Sequence, residues 1–366
     1  MKSLLVFLSQ ILSRATFFIV LCIPAHADGR IDWRMECVGR MQILLPGPTE
    51  VAVTPTDRLL SEDGDPKPRF SDGEIAGYSD LWVSGGLRIS GALSEAERQK
   101  LWREAHAFQE NMIAVETEQG SRQGDFEKLN VNANEAIGLR RRRFFHAAAM
   151  VNTHVVIWRL SVEDHEIQNS VNTLTSLLSN IEYRDIYSVP KKDGVCAPFL
   201  FFPNVRMKLD RIVASTYRLK EHPDITIYLK DKTAGKAGKY ERPEVFTAIY
   251  KSNYFWTQRY QDYDSIENLL KFRRHNNIPF AGQRAVESKV RMIRTDKITE
   301  DFGYLVVTQG NPDAKVDTPD LMLYVIRDAR QAIKRGIKPV PKKEFFKLAR
   351  QIADSVKHRG ATPSEK

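Results

Sequence analysis

Apolar residues along this chain fall into short runs and helical stripes, divided by polar segments that carry Pro and Gly. Arg34 to Pro46 reads as a strand, stopped by the turn Pro46-Gly47-Pro48. A polar stretch from Thr54 to Asp72 follows and reads as an exposed loop, and Tyr78 to Ser90 reads as a strand or hairpin turning at Gly85-Gly86. Ser94 stands three residues before Glu97, the spacing of a capping box. Leu101, Ala105, Phe108, Met112 and Val115 then recur at spacings of three and four, which puts them on one helical face. Arg141–Met150 and Thr153–Leu160 are expected strands, and Val155, Val156, Ile157 and Trp158 suit one that is largely buried. A second helix is expected from near Glu163, with Ile167, Val171, Leu174, Leu178 and Ile181 on its apolar face.

Ser188 to Gly194 has linker composition. Beyond it Cys196 leads into an aromatic strand, Phe199 to Phe202, closed by Pro203. Arg211–Leu219, Asp224–Leu229, Tyr304–Thr308 and Leu321–Ile326 read as strands, and the aromatic segment Val245–Tyr260 is also strand-like. A final helix is expected from near Pro341, with Phe345, Leu348, Ala349, Ile352 and Val356 inward. Each half thus opens on a Cys-bearing strand and closes on a buried strand followed by an amphipathic helix. Strands grouped before a helix favour α+β over a doubly wound sheet. The expected architecture is two similar domains, 28–189 and 190–366, each an antiparallel-rich sheet packed with helices.

The first 27 residues change the charge and cysteine balance. Lys2 and Arg14 precede an apolar run, and Ala25-His26-Ala27 supplies a small-x-small cleavage pattern, so a signal peptide cut after Ala27 and an extracytoplasmic, periplasmic protein are expected. Leu21 before Cys22 disfavours lipid attachment, which wants a small residue there. Cleavage leaves 53 of the 55 basic residues against 46 acidic ones and lowers the net charge from +9 to +7. A basic surface attracts nucleic acid, anionic lipid or acidic protein, and export argues against nucleic acid. Of three cysteines two remain, Cys37 and Cys196. An even pair in an oxidising compartment points to a disulfide, the alternative being two buried thiols. No later apolar run is long enough to span a membrane.

Catalytic signatures are largely missing. There is no Gly-x-Ser-x-Gly elbow, P-loop, dinucleotide fingerprint or paired Cys-x-x-Cys. His165-Glu166 begins like a zinc-protease motif, but Asn169 stands where the second ligand belongs. No cofactor or metal is expected. Arg140, Arg141, Arg142 and Arg143 form a cationic run that reads either as a solvated edge strand or as a grip on acidic groups. Tyr254, Trp256, Arg259 and Tyr260 mix aromatic and basic groups, a composition of strand cores and of protein interfaces.

Met35-Glu36-Cys37-Val38-Gly39-Arg40, running through Ile43-Leu44-Leu45 to Pro46, resembles the start of the N-terminal domain of the type VI secretion immunity proteins directed against lipase effectors. Gly194-Val195-Cys196 and His222-Pro223-Asp224-Ile225-Thr226-Ile227 resemble the start of that family's C-terminal domain. The resemblance implies a non-catalytic periplasmic protein whose two domains clamp a secreted phospholipase and block its lid or substrate entry. The matched motifs are structural and supply no binding residues; from their own composition the basic and aromatic sets are the candidate partner-binding residues, and Cys37 and Cys196 are expected to be bonded and to fasten the two domains. An envelope module for anionic lipid or polysaccharide, with peripheral membrane contact, and an envelope hydrolase are the alternatives.

Overall fold

The order of elements follows the apolar pattern closely in the first half and departs from it in the second. In a computed structural model, the described residues are 32–61, 67–76, 81–83, 86–118, 126–131, 135–203, 211–235, 247–259, 263–270, 274–314 and 318–359; the expected leader and Tyr260 lie outside them. The first half holds β1 (Trp33–Val38), β2 (Met41–Pro46), β3 (Thr49–Val51), β4 (Leu81–Val83), β5 (Gly86–Ile89), α1 (Glu95–Glu118), β6 (Phe126–Lys128), β7 (Ala136–Arg141), β8 (Phe144–Val151), β9 (His154–Ser161) and α2 (Ile167–Asn180). Then come β10 (Glu182–Tyr183), β11 (Gly194–Ala197), β12 (Leu200–Pro203), β13 (Arg211–Leu219), β14 (Ile225–Lys232), α3 (Ala248–Arg259), β15 (Tyr263–Asn268), β16 (Asn276–Phe280) and β17 (Gln283–Arg294). The chain closes with β18 (Glu300–Thr308), β19 (Asp320–Arg327), α4 (Ala329–Lys334), α5 (Lys342–Ser355) and β20 (Lys357–His358).

The class is α+β. Among the described residues every strand pairing is antiparallel, and the main sheet runs β15-β17-β18-β19-β14-β13-β4-β5-β9-β8-β7-β6. The strand pair β13–β4 carries it from the second half of the chain into the first, and the residues from Asp32 onward make one compact unit. Directly paired residues lie on one face. Ala214 of β13 therefore shares its side with Lys230 of β14 and Met322 of β19 and, through the register of β4 and β5, with Arg159 and Ile157 of β9.

Helices cover both faces. α1 sets Leu101 and Ala105 against Ala148, Met150, Val155 and Ile157, while α3 packs Phe255 and Trp256 against Val290, Leu305 and Val307 on the same continuous face. α2 and α5 close the opposite face, with Leu174, Leu178, Phe345 and Ile352 in one core with Trp158, Tyr217 and Tyr304. Two-sided cover explains the unbroken apolar runs. In β18, Tyr304 and Val306 point to the α5 side and Leu305 and Val307 to the α3 side; in β9, Val156 and Trp158 face α2, and Val155 and Ile157 face α1.

The capping box forms. Ser94 N–H donates to Glu97 Oε2 at 2.9 Å, and Glu97 N–H to Ser94 Oγ at 3.4 Å. α5 begins just after Pro341, as its sequence indicates. Three local expectations are corrected. Arg34–Pro46 is not one strand but the hairpin β1–β2, turned at Gly39-Arg40. Val245–Tyr260 is not a strand over its described part: Ala248 to Arg259 is helical, and Thr247 caps it by accepting the Tyr250 N–H at 3.2 Å. Its buried residues Ala248, Ser252, Phe255 and Trp256 are spaced by four, three and one, a helical period that its β-favouring aromatics conceal. The arginine run is not an edge strand either. Arg140 and Arg141 end β7, which is flanked by β6, and Arg142-Arg143 make the two-residue turn to β8, with Arg142 at φ 50°.

Cys37 and Cys196 form a disulfide that bonds β1 to β11. Gly39 and Cys196 exchange two backbone hydrogen bonds of 2.8 Å beside it. The neighbouring motif residues are structural too. Glu36, fully buried, pairs with Arg184 at 2.6 Å and accepts the Tyr187 N–H at 2.8 Å. Gly39 sits at φ 60°, where any Cβ would collide with Asp231; that carboxylate in turn accepts the Arg40 N–H and the Arg211 guanidinium.

Candidate functional site

Two surface patches on the α1/α3 face combine exposed aromatic and cationic side chains. The first is built on α3. Trp256 is its anchor: the indole N–H donates to Ser288 Oγ at 2.8 Å, and the ring lies over Gly303, where a Cβ would collide with it. Burying Trp256 and Phe255 turns the other side of the helix outward. Tyr250 and Tyr254, 43% and 51% exposed, stack there with ring centroids 6.2 Å apart, next to exposed Ile249.

Beside these tyrosines a groove of about 320 Å³ opens onto the sheet. Its floor is Tyr228 of β14 stacked on Tyr324 of β19, with centroids 4.7 Å apart. Lys230 and Lys232 continue the same face of β14, and Lys251 of α3 pairs with Asp320 at 2.7 Å. The sequence offered Tyr254 as a candidate partner-binding residue in a set that read equally as a strand core, and did not single out Tyr228, Lys230 or Lys232. The signal was there in the alternation Tyr228-Leu229-Lys230-Asp231-Lys232, which sends every second residue to one face.

The second patch surrounds the β7–β8 turn. Phe144, 50% exposed, carries Arg143 over its ring at 5.7 Å. Arg140 pairs with Glu127 at 3.1 Å. Arg141 borders a groove of about 410 Å³ with Phe144 and with Phe108 and Met112 of α1. At its floor, His146 contacts Phe108 and Gln109. Burial first, then the charges of Arg159 and Arg88, push its pKa down to about 3, so it is neutral at ordinary pH and does not serve as a proton donor there.

The four arginines therefore lie together at one turn, while Tyr254 and Trp256 lie four or more strands away on α3; Trp256 is in the core, and Arg259 ends the helix. His165 and Glu166 lie in an exposed 3₁₀ turn before α2. Among the described residues no three His, Cys, Asp or Glu side chains gather in a way that could hold a metal ion, and no helix is long and apolar enough to cross a membrane.

Solved structures share this architecture. The immunity protein TplEi of the T6SS from Pseudomonas aeruginosa, complexed with an "L" peptide, superposes with a TM-score of 0.56 at 18% identity over 90% of this chain and 99% of that one. The chain has the fold of a T6SS immunity protein. Apo TplEi gives 0.56 at 17% identity over 90% and 98% of the two chains, and a chain of the Tle4-Tli4 complex 0.56 at 18% over 90% and 98%. No protein-family model and no curated protein matches the sequence.

Proposed function

We propose that this chain is a periplasmic immunity protein that binds a type VI secreted phospholipase-type effector and neutralises it without catalysis of its own. The observation that carries the reading is the fold shared over nine tenths of the chain with an immunity protein at a TM-score of 0.56. A leader cut after Ala27 delivers the protein to the periplasm, where the Cys37–Cys196 bond persists. Segments 28–189 and 190–366 act as two arms. α3 packs on β18 and α1 on β9, six steps apart in the main sheet. The sheet twists by about 20–25° per strand, so the two patches address different sides of a bound protein. Aromatic and arginine anchors of this kind dominate tight interfaces, and a +7 surface steers an acidic partner. Occupying the effector's lid or substrate entrance inhibits it.

The test is protection in cells. A type VI phospholipase effector from the same bacterium is exported to the periplasm of a susceptible one. Co-expression of the full chain is expected to restore growth, and co-expression of residues 28–366 alone, held in the cytoplasm, is not. Unchanged killing with the exported chain contradicts the reading.

A further inference from the structure

The tip of the β17–β18 hairpin and the short helix α4 together present isoleucines to solvent, each beside a lysine. We propose that this end of the molecule docks on an anionic lipid bilayer, with Ile298, Ile333 and Ile337 entering the boundary between headgroups and acyl chains and Lys297, Lys334 and Lys338 reaching lipid phosphates. The inference goes beyond the immunity reading and does not rest on it, since the bilayer is bound without an effector.

Ile298 and Ile333, at 85% and 61%, are the two most exposed large apolar side chains among the described residues, and Ile337 is 39% exposed. Single exposed apolar residues are ordinary, but these three are brought to one end. The register Phe302↔Arg327 lays the hairpin end beside the start of α4, and Arg330 reaches across to Asp296 at 3.4 Å. Ile333 stands one turn beyond Arg330 on the same helix face. Both projections are held in shape. Asp296 accepts the N–H groups of Ile298 and Thr299 at 2.9 and 2.7 Å. Gly336, at φ 67°, closes α4, and the N–H groups of Gly336 and Ile337 donate to the Ile333 and Ala332 carbonyls at 3.0 Å each. The exposed lysines follow or precede the isoleucines directly, as Lys297-Ile298, Ile333-Lys334 and Ile337-Lys338, and none of them forms an ion pair among the described residues. The carboxylates of this end are engaged elsewhere: Asp296 in the turn and with Arg330, Asp328 with Arg294 at 2.8 Å, and Glu300 with Arg291. Apolar side chains that project singly between lysines need no pocket in a bilayer, whereas a protein partner needs one for each. Apolar burial and attraction to anionic lipid add in such docking. It holds the protein at the surface that a phospholipase attacks.

The experiment is flotation of the mature oxidised protein, residues 28–366, with vesicles of phosphatidylcholine alone or with about 30% phosphatidylglycerol, at low and high salt. The wild type is expected to bind the phosphatidylglycerol vesicles at least tenfold more tightly than the neutral ones. A lysine beside an anionic leaflet is worth about fivefold in binding, so Lys297→Gln/Lys334→Gln/Lys338→Gln should lose on the order of a hundredfold and most of the salt dependence. Ile298→Ser/Ile333→Ser should lose at least tenfold with its salt dependence intact, and neither variant should change the melting temperature. Lys128→Gln/Lys191→Gln/Lys220→Gln removes the same charge from other exposed positions and should stay within threefold of wild type. No preference of the wild type for phosphatidylglycerol overturns the proposal, as does an equal loss in the two lysine triples, which would mark attraction to the net charge alone. An isoleucine variant that keeps vesicle binding within twofold but no longer inhibits a type VI phospholipase effector overturns it too, and assigns the patch to a protein interface. All three results leave the immunity reading standing.

Discussion

Removing the Cys37–Cys196 bond by the double substitution Cys37→Ala/Cys196→Ala should destabilise the protein by about 5 kcal/mol. The bond closes a loop of 159 residues. In the chain-entropy account a loop of that length adds about 17 cal/mol/K to the entropy the unfolded chain regains when the bond is removed, about 5 kcal/mol at 25 °C. Both sulfurs are fully buried with Phe201, so their loss adds a small packing term. The paired backbones of Gly39 and Cys196 and the Glu36–Arg184 pair remain, so the variant should still fold. Since domains are stable by about 5–15 kcal/mol, a third or more of the total is at stake. The assay is urea unfolding of the oxidised wild type and the variant at pH 7.5, with thiols counted in denatured, unreduced protein. The wild-type mature chain should show none. A stability difference below about 1 kcal/mol, or two free thiols in the wild type, refutes the reasoning.

Three further outcomes follow from the same contacts. Trp256→Ala should cost about 3–5 kcal/mol of stability, because it empties the site over Gly303 and strands Ser288, whereas Tyr254→Ala, at a half-exposed site, should cost less than about 1; chemical denaturation separates them. Gly39→Ala forces a Cβ into Asp231 at positive φ and should lower stability by about 1–3 kcal/mol or more, read as a drop in melting temperature. His146 is held near pKa 3 in the fold against about 6.5 unfolded, so its burial stabilises fully above pH 6.5 and that contribution is lost as pH falls toward 3. Between pH 7.5 and pH 5 the loss is about 2 kcal/mol, and in His146→Gln the decline over that interval should shrink by that amount.

Where a sequence signal had a local cause, the structure repeats it. The Ser94–Glu97 box, the buried run Val155–Trp158 and the stripe of α5 depend on neighbours within a few residues, and all three appear as read. Tertiary context hid the rest. α3 is built from Tyr, Phe and Trp, which favour strands by composition, and its helix is set by the Thr247 cap and by burial over Gly303. The Arg142-Arg143 turn lacks the Gly or Asn that usually marks positive φ. The β13–β4 pairing joins positions more than a hundred residues apart, and no local pattern encodes it. The α3 groove is distributed in the same way: its lysines come from β14 and α3 and its floor from β14 and β19, so only the register assembles it.

The deciding measurement is lipid hydrolysis by a type VI phospholipase effector from the same bacterium while residues 28–366 are titrated in. Activity is expected to fall linearly to a floor at one equivalent of this protein. Full activity at a several-fold excess, with the disulfide intact, would contradict it.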